Sequence, residues 1–337
     1  MTKQDTHSPS EQRQGRLGVL LVNLGTPDAP TPDAVRRYLS EFLSDPRIVD
    51  MPRILWLPLL HGLILNIRPK ATAKDYSKIW RIESNESPLR YYTRAQAQAV
   101  AKAFGDDAVI DWAMRYGQPS VASHISALRD KGCTRLLIVP LYPQYSATTT
   151  ASVADAVTKA LKDIAWRPEI RTAAAFPGEP AYIKALASVA RGELGEAAPE
   201  RVIISFHGLP QRYVDAGDPY YAHCSETAQL LRTEMGWTED YAPMTFQSKF
   251  GRGQWLAPAT ETTVLKLAGE GVKNIAVITP GFVADCIETL SEIDIALRQT
   301  FLAAGGAQFK TIACLNDTPE MIGLLETIIR READSWI

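Results

Sequence analysis

The sequence predicts an α/β fold built from two similar lobes, each a parallel sheet flanked by helices. Three observations carry this expectation. Short unbroken apolar runs recur along the chain, stretches with helical spacing lie between them, and two run-and-helix units match each other at fixed offsets. A strand buried on both faces reads as a continuous apolar run, and strands alternating with helices build a parallel sheet. The 337 residues, 46% hydrophobic and 22% charged, are enough for two domains with real cores.

Residues 1–15 lack the apolar centre of a signal peptide and read as a disordered tail. Leu17–Leu24 is the first strand, ended by Gly25-Thr26-Pro27. Further strands are expected at Ala108–Trp112, Leu136–Leu141, Val202–Phe206 and Ile275–Thr279, and helices at Val153–Ile164, Ala181–Leu194 and Glu261–Ala268. The helix-glycine-strand unit running from Leu128 through Gly132 to Val139 matches that from Leu267 through Gly271 to Ile278 at an offset of 139. The run before Gly25-Thr26-Pro27 pairs with the run before Gly208-Leu209-Pro210 at an offset of 183. The difference of 44 residues places an insertion in the first half. The lobes accordingly divide near Phe176: a first lobe over 16–175, with the insertion near 51–95, and a second over 176–315. Residues 316–337 hold a final helix, Pro319–Ser335, expected to pack on the first lobe.

The insertion shows itself at Met51–Arg68, MPRILWLPLLHGLILNIR. Its apolar part, Ile54–Leu65, is broken by Pro58, His61 and Gly62 and falls short of the roughly 20 residues that span a bilayer. Arg53, Arg68, Lys70 and Lys74 flank it. Such a segment either lies at a membrane interface or the mouth of a pocket for a flat apolar ligand, or is an ordinary core helix.

Several function classes drop out. Lys and Arg (36) nearly cancel Asp and Glu (38), leaving no basic field for nucleic acid. Cys133, Cys224, Cys286 and Cys314 form no C-x-x-C pair, which argues against a disulfide scaffold or structural zinc and suits a reducing cytosol. The turn NLGTPDAPT has one glycine where a dinucleotide fingerprint needs three, and no phosphate-loop motif is present.

The five histidines differ in setting. His7 lies in the tail, His61 in the insertion, His124 on a polar helical stretch and His223 beside Cys224. His207 follows the strand Val202–Phe206, at the carboxyl edge where open α/β sheets bind ligands. An imidazole there accepts a proton near neutral pH or ligates a transition metal; the alternative is a histidine hydrogen-bonded within its loop. The matching strand of the second repeat leads into Gly281–Glu292. If that stretch is helical, Asp285, Glu288 and Glu292 are spaced three and four apart and share a face. The face either draws a divalent cation toward His207 or is merely solvated, with Asp285 favouring a helix N-terminus. Met114–Gly117, Leu141–Thr150 and Phe246–Gly251 with Trp255 add aromatic surfaces and cations, chemistry that grips a planar ligand bearing carboxylates. Taken singly, such clusters are also ordinary loop sequence.

Taken together, NLGTP (Asn23–Pro27), MRYG (Met114–Gly117), YPQYSATTT (Tyr142–Thr150), SFHGLP (Ser205–Pro210), FQSKFG with Trp255, and ADCIETLSEID (Ala284–Asp294) resemble the ferrochelatase family of the bacterial type. The resemblance implies a chelatase-like pair of similar Rossmann-like lobes around a cleft. It implies a lyase that inserts Fe²⁺ into protoporphyrin IX to form protohaem, the terminal step of haem biosynthesis. His207 and Glu288 are then the metal-binding and catalytic pair, and Arg115, Tyr116, Trp255 and Phe282 the porphyrin-binding positions. Asp285 and Glu292 extend an acidic path from Glu288, which the next helical step, Ala296, cuts short. Met51–Arg68 becomes an active-site lip through which porphyrin passes from the membrane surface. The implied setting is cytoplasmic, peripheral on the inner face of the cell membrane, with protoporphyrin IX and Fe²⁺ as partners and no nucleic acid.

Some members of the family hold a [2Fe–2S] cluster. Here the last cysteine is Cys314 and Ala147 occupies the QYS-x-TT slot, so no cluster and no other cofactor is expected. Porphyrin metallation removes two pyrrole N–H protons and admits a hydrated dication into a flat ring. It needs a base, a group that replaces water on the metal, and an apolar slot that fits a bent ring better than a planar one. Rival readings are a chelatase for coproporphyrin or sirohydrochlorin and a porphyrin carrier without turnover.

Overall fold

In the computed structural model the described residues are 15–195, 198–251 and 253–336; the expected tail, apart from Gly15, lies outside them. The first half runs β1 (Arg16–Thr26), α1 (Pro32–Leu43), α2 (Arg53–Leu59), a π-helical turn (Leu60–Ile64), α3 (Leu65–Ile79), α4 (Pro88–Phe104), β2 (Val109–Gly117), α5 (Val121–Asp130), β3 (Cys133–Pro140), α6 (Thr150–Lys162) and β4 (Glu169–Thr172). The second runs α7 (Pro180–Leu194), β5 (Arg201–His207), α8 (Gln211–Asp215), α9 (Tyr220–Met235), β6 (Met244–Gln247), α10 (Thr260–Gly269), β7 (Asn274–Ile278), a π-helix (Glu288–Leu297), α11 (Arg298–Ala303), β8 (Gln308–Thr311) and α12 (Pro319–Ala333). Helix starts follow from local chemistry. Thr31, Ser87, Ser120 and Thr318 each accept a hydrogen bond from the N–H three residues on, and proline opens α1, α4 and α12. Each such cap is worth about 1 kcal/mol.

The strands form two parallel sheets of identical order, β2-β1-β3-β4 and β6-β5-β7-β8. β1 and β5 occupy the same place, as do β3 and β7, the two pairs matched by the sequence offsets. The extra length of the first half includes α2, the π turn and α3, between β1 and β2. β2 continues to Gly117, beyond its apolar start, because it pairs with β1 as far as Thr26. Gly25, at φ +121°, permits this approach: a Cβ there would fall 1.9 Å from the Tyr116 carbonyl oxygen.

Side-chain alternation sends each sheet's two faces into different cores. Leu17, Val19 and Leu21 of β1 and Val202, Ile204 and Phe206 of β5 enter one shared layer with α4, α7, α9 and α12. Leu20 and Val22 turn instead toward α5 and α6, and Ile203 toward α10 and α11. Each fully buried Leu, Val or Ile contributes about 1.5–3 kcal/mol, so a layer common to both sheets fixes one lobe against the other. α12 packs against α4, β3 and α7. Arg171 of β4 donates to the Glu332 carbonyl at 2.9 Å and lies over the Trp336 ring.

The inserted helices are two-sided. Trp56, Leu60, Leu65, Ala73 and Tyr76 form a core with Val35, Tyr38 and Leu39 of α1. Ile54 (84% exposed), Leu55 (63%) and Ile67 (62%) face outward. One face of the segment is thus ordinary core and the other an exposed apolar face. Among the described residues no helix is long and apolar enough to cross a membrane.

Candidate active site

His207 is the last residue of β5, opposite Gln247 of β6 in register. Its Nδ1 lies 2.7 Å from the Gly208 carbonyl oxygen. A carbonyl only accepts, so Nδ1 carries a proton and Nε2 is the ring nitrogen left to act as base or ligand. The Gly208 N–H donates to the Gln247 carbonyl at 2.7 Å. A Cβ on Gly208 would sit 2.6 Å from that oxygen and 3.2 Å from the Trp255 ring, so only glycine lets the loop turn this tightly. Trp255 is held there because Leu256 N–H donates to Leu209 O at 2.9 Å. The Phe282 ring stands 6.4 Å from the imidazole, centroid to centroid. Trp255 and Phe282 therefore line the surroundings of His207, both half-buried.

Glu288 opens the π-helix and borders a small enclosed space with Leu24, Tyr38, Tyr76 and Leu89 of the first lobe. That space measures about 10 Å³, room for roughly one water. A tetrapyrrole does not fit into this space as it stands. Burial pushes the Tyr38 and Tyr76 hydroxyls well up, and the charge of Glu288 adds to the rise in both. Glu292, one step along the π-helix, accepts from Ser248 N (2.7 Å) and Ser248 Oγ (2.5 Å). Burial raises its carboxyl above the ordinary glutamate value and Glu288 adds to this, while the Ser248 bonds and His207 act in the opposite sense. Imidazole and carboxylates thus act on one another at a single end of the second sheet.

Asp285 departs from the expected acidic face. It precedes the helix, is 6% exposed, and spends its carboxylate on Asn316 Nδ2 (2.7 Å) and Thr289 Oγ1 (2.9 Å). The shared face presupposed a helix beginning before Asp285, whereas the chain turns into the π-helix only at Ile287 and Glu288, so Asp285 points inward and away from the path.

Arg115 and Tyr116 are also committed elsewhere. Asp45 Oδ2 accepts from Arg115 Nη2 (2.6 Å), Tyr116 OH (2.7 Å) and Ser152 Oγ (2.7 Å). Arg115 Nε donates to the Ser152 carbonyl as well. Tyr116 is 1% exposed, packed edge-on against Phe42 beneath the lip. Arg115 lines an open groove of about 840 Å³ with Arg36, Asp155 and Lys159, and none of His207, Glu288, Trp255 or Phe282 borders it. Asp45 escaped notice in the sequence because its side-chain partners lie 70 and more residues away. Gln247 and Ser248 lay inside the FQSKFG motif without a role.

Two contacts join the inserted segment and the residue before it to the second lobe. The Arg68 guanidinium lies 4.7 Å over the Phe250 ring, and Asp50 faces Arg212 at 3.8 Å. Among the described residues no group of three or more His, Cys, Asp or Glu converges as a metal cage.

A ferrochelatase family model matches residues 16–333. The chain is 51% identical over 327 residues to the ferrochelatase of Rhizobium meliloti (strain 1021), covering 96% of both chains. It is 51% identical to that of Agrobacterium fabrum, covering 96% of this chain and 95% of the relative. To that of Brucella melitensis biotype 2 it is 50% identical, covering 96% and 93%. Among solved structures, the sirohydrochlorin chelatase SirB of Bacillus subtilis subspecies spizizenii, in complex with cobalt, superposes with a TM-score of 0.57 at 12% identity, covering 95% of this chain and 96% of that one. At that identity the likeness is one of fold.

Proposed function

The chain belongs to the ferrochelatase family and is a lyase that inserts Fe²⁺ into protoporphyrin IX in haem biosynthesis, and from that premise we propose that His207 and Glu288 bind the iron and carry the protons it displaces. The observation that carries this reading is the free Nε2 of His207 at the sheet edge, followed by Glu292 and Glu288 along one side of the π-helix. Nε2 takes a proton from a pyrrole N–H or replaces a water on iron. Glu288 and Glu292 then offer negative charge on the same side, favouring the arriving dication and the departing protons. Phe282 and Trp255 supply the apolar walls against which a ring would lie. Arg115 and Tyr116 act through Asp45, fixing the floor under the lip rather than touching the ring.

Iron is a substrate. Our reading includes no [2Fe–2S] cluster, because Cys133, Cys224 and Cys286 belong to three different apolar clusters. Burial raises all four thiols, against the thiolate form that ligation needs. We further propose a cytoplasmic protein resting peripherally on the membrane through Ile54, Leu55, Leu63 and Ile67, with Lys70 and Lys74 toward anionic headgroups. The lip delivers a poorly soluble ring directly from that surface, which favours protoporphyrin over the more carboxylated coproporphyrin.

The test is anaerobic metallation with Fe²⁺, or Zn²⁺ as surrogate, followed by absorbance with each porphyrin. Turnover on protoporphyrin is expected to fall by about two orders of magnitude in His207→Ala, with porphyrin binding retained. Wild-type turnover in that variant would refute the role given to His207.

A further inference from the structure

Glu288 belongs to the second lobe, yet the space it borders is walled largely by the first, so something must hold its loop against the first lobe. The structure contains one hydrogen-bonded chain that does this. Gln96 of α4, with no exposed surface, donates from Nε2 to the Asn316 carbonyl at 2.6 Å. Asn316 N–H donates to the Val283 carbonyl at 2.9 Å. The Asn316 side chain grips Asp285 in both directions: Oδ1 accepts from Asp285 N (2.9 Å) and Nδ2 donates to Asp285 Oδ2 (2.7 Å). The other Asp285 oxygen accepts from Thr289 Oγ1 (2.9 Å), which itself accepts from Cys286 N (3.0 Å). Thr289 is the residue after Glu288 and is fully buried.

Two features mark Asn316 as more than filler. Its φ of +50° is left-handed, a conformation asparagine tolerates better than most side chains. Its amide matches the carboxylate and N–H of one residue, an arrangement that leaves no rotational freedom to either. Buried carboxylates are costly unless each oxygen is satisfied, so Asp285 keeps its place only while Asn316 and Thr289 keep theirs.

We propose that Asn316 is a positioning residue for Glu288, acting through Asp285 and Thr289 and anchored to the first lobe by Gln96. The inference rests on the role given to Glu288 above. Asn316→Asp keeps shape and backbone preference but sets a carboxylate against Asp285. The exchange of both, Asp285→Asn with Asn316→Asp, restores one amide facing one carboxylate.

The experiment measures kcat and KM for protoporphyrin with Zn²⁺, alongside thermal unfolding, in Asn316→Asp, in the double exchange and in Glu288→Gln. The single variant is expected to lose about tenfold in kcat with KM changed less than about twofold, and the exchange to recover most of the loss. Asn316→Gly, which keeps the left-handed backbone and removes the grip, serves if Asn316→Asp does not fold, with the same kcat loss expected. A folded single variant with wild-type kcat, or a loss confined to KM or to thermal stability, overturns the proposal while Glu288→Gln remains inactive. Wild-type activity in Glu288→Gln overturns the reading of Glu288 itself.

Discussion

Gln247 donates from its side-chain amide to the main-chain oxygen of Glu288 at 3.0 Å. The same amide accepts from Ser205 Oγ at 2.8 Å, and its backbone is the register neighbour of His207. One buried side chain thus joins the strand that carries the imidazole to the helix that carries the carboxylate. Gln247→Leu fills similar volume but cuts both bonds. It is expected to lower kcat about tenfold and to destabilise the fold by about 1–3 kcal/mol, because the Glu288 carbonyl loses the Gln247 amide and Ser205 keeps only Thr260. Steady-state metallation and denaturant unfolding check the two effects separately.

The outward face of the lip carries a different prediction. Ile54, Leu55 and Ile67 bury little in the folded chain, so changing all three to Ser removes the apolar surface of the proposed membrane contact at small cost to stability. Co-sedimentation with anionic vesicles is expected to weaken by about tenfold or more, on the order of 0.8 kcal/mol per CH₂ no longer buried in lipid. Unchanged sedimentation would make the exposed apolar face irrelevant to lipid.

Asp45 sets an acid limit on stability. Burial alone would raise its carboxyl, yet bonds from Ser152, Tyr116 and the Arg47 N–H, with the Arg115 charge, bring it below the ordinary aspartate value. A group depressed in the folded state stabilises fully above its unfolded pKa, and that contribution is lost as pH falls through the folded value. Wild-type stability is therefore expected to drop below about pH 4, with a shallower drop in Asp45→Asn. At neutral pH that variant is expected to be less stable by about 2–4 kcal/mol, since Arg115 loses its partner. Urea unfolding across pH measures both.

What the sequence disclosed divides along physical lines. Strands buried on both faces announce themselves as apolar runs, which is why Val202–Phe206 and Ile275–Thr279 could be placed and paired with their first-lobe counterparts. The position of His207 at the end of such a run was legible for the same reason, and its bond to the Gly208 carbonyl is the loop contact that the sequence also allowed. Asp285 was misplaced because a 3.6-residue period was assumed where the chain is first irregular and then π-helical. The Asp45–Arg115 pair, the Gln96–Asn316 bond and the bracket of Ser248 on Glu292 join residues distant in sequence, and no local pattern encodes such pairings.

Because the space beside Glu288 has room for about one water, a ring reaches that carboxylate only in the fraction of molecules where the side chains around it stand further apart. Observed affinity is then the intrinsic affinity scaled by that fraction. Phe250→Ala removes the contact of Arg68 with the second lobe and is expected to enlarge that fraction, so porphyrin is expected to bind more tightly to a protein that has lost a contact. Fluorescence titration without metal reads this directly, and weaker binding would mean that Phe250 touches the ring itself.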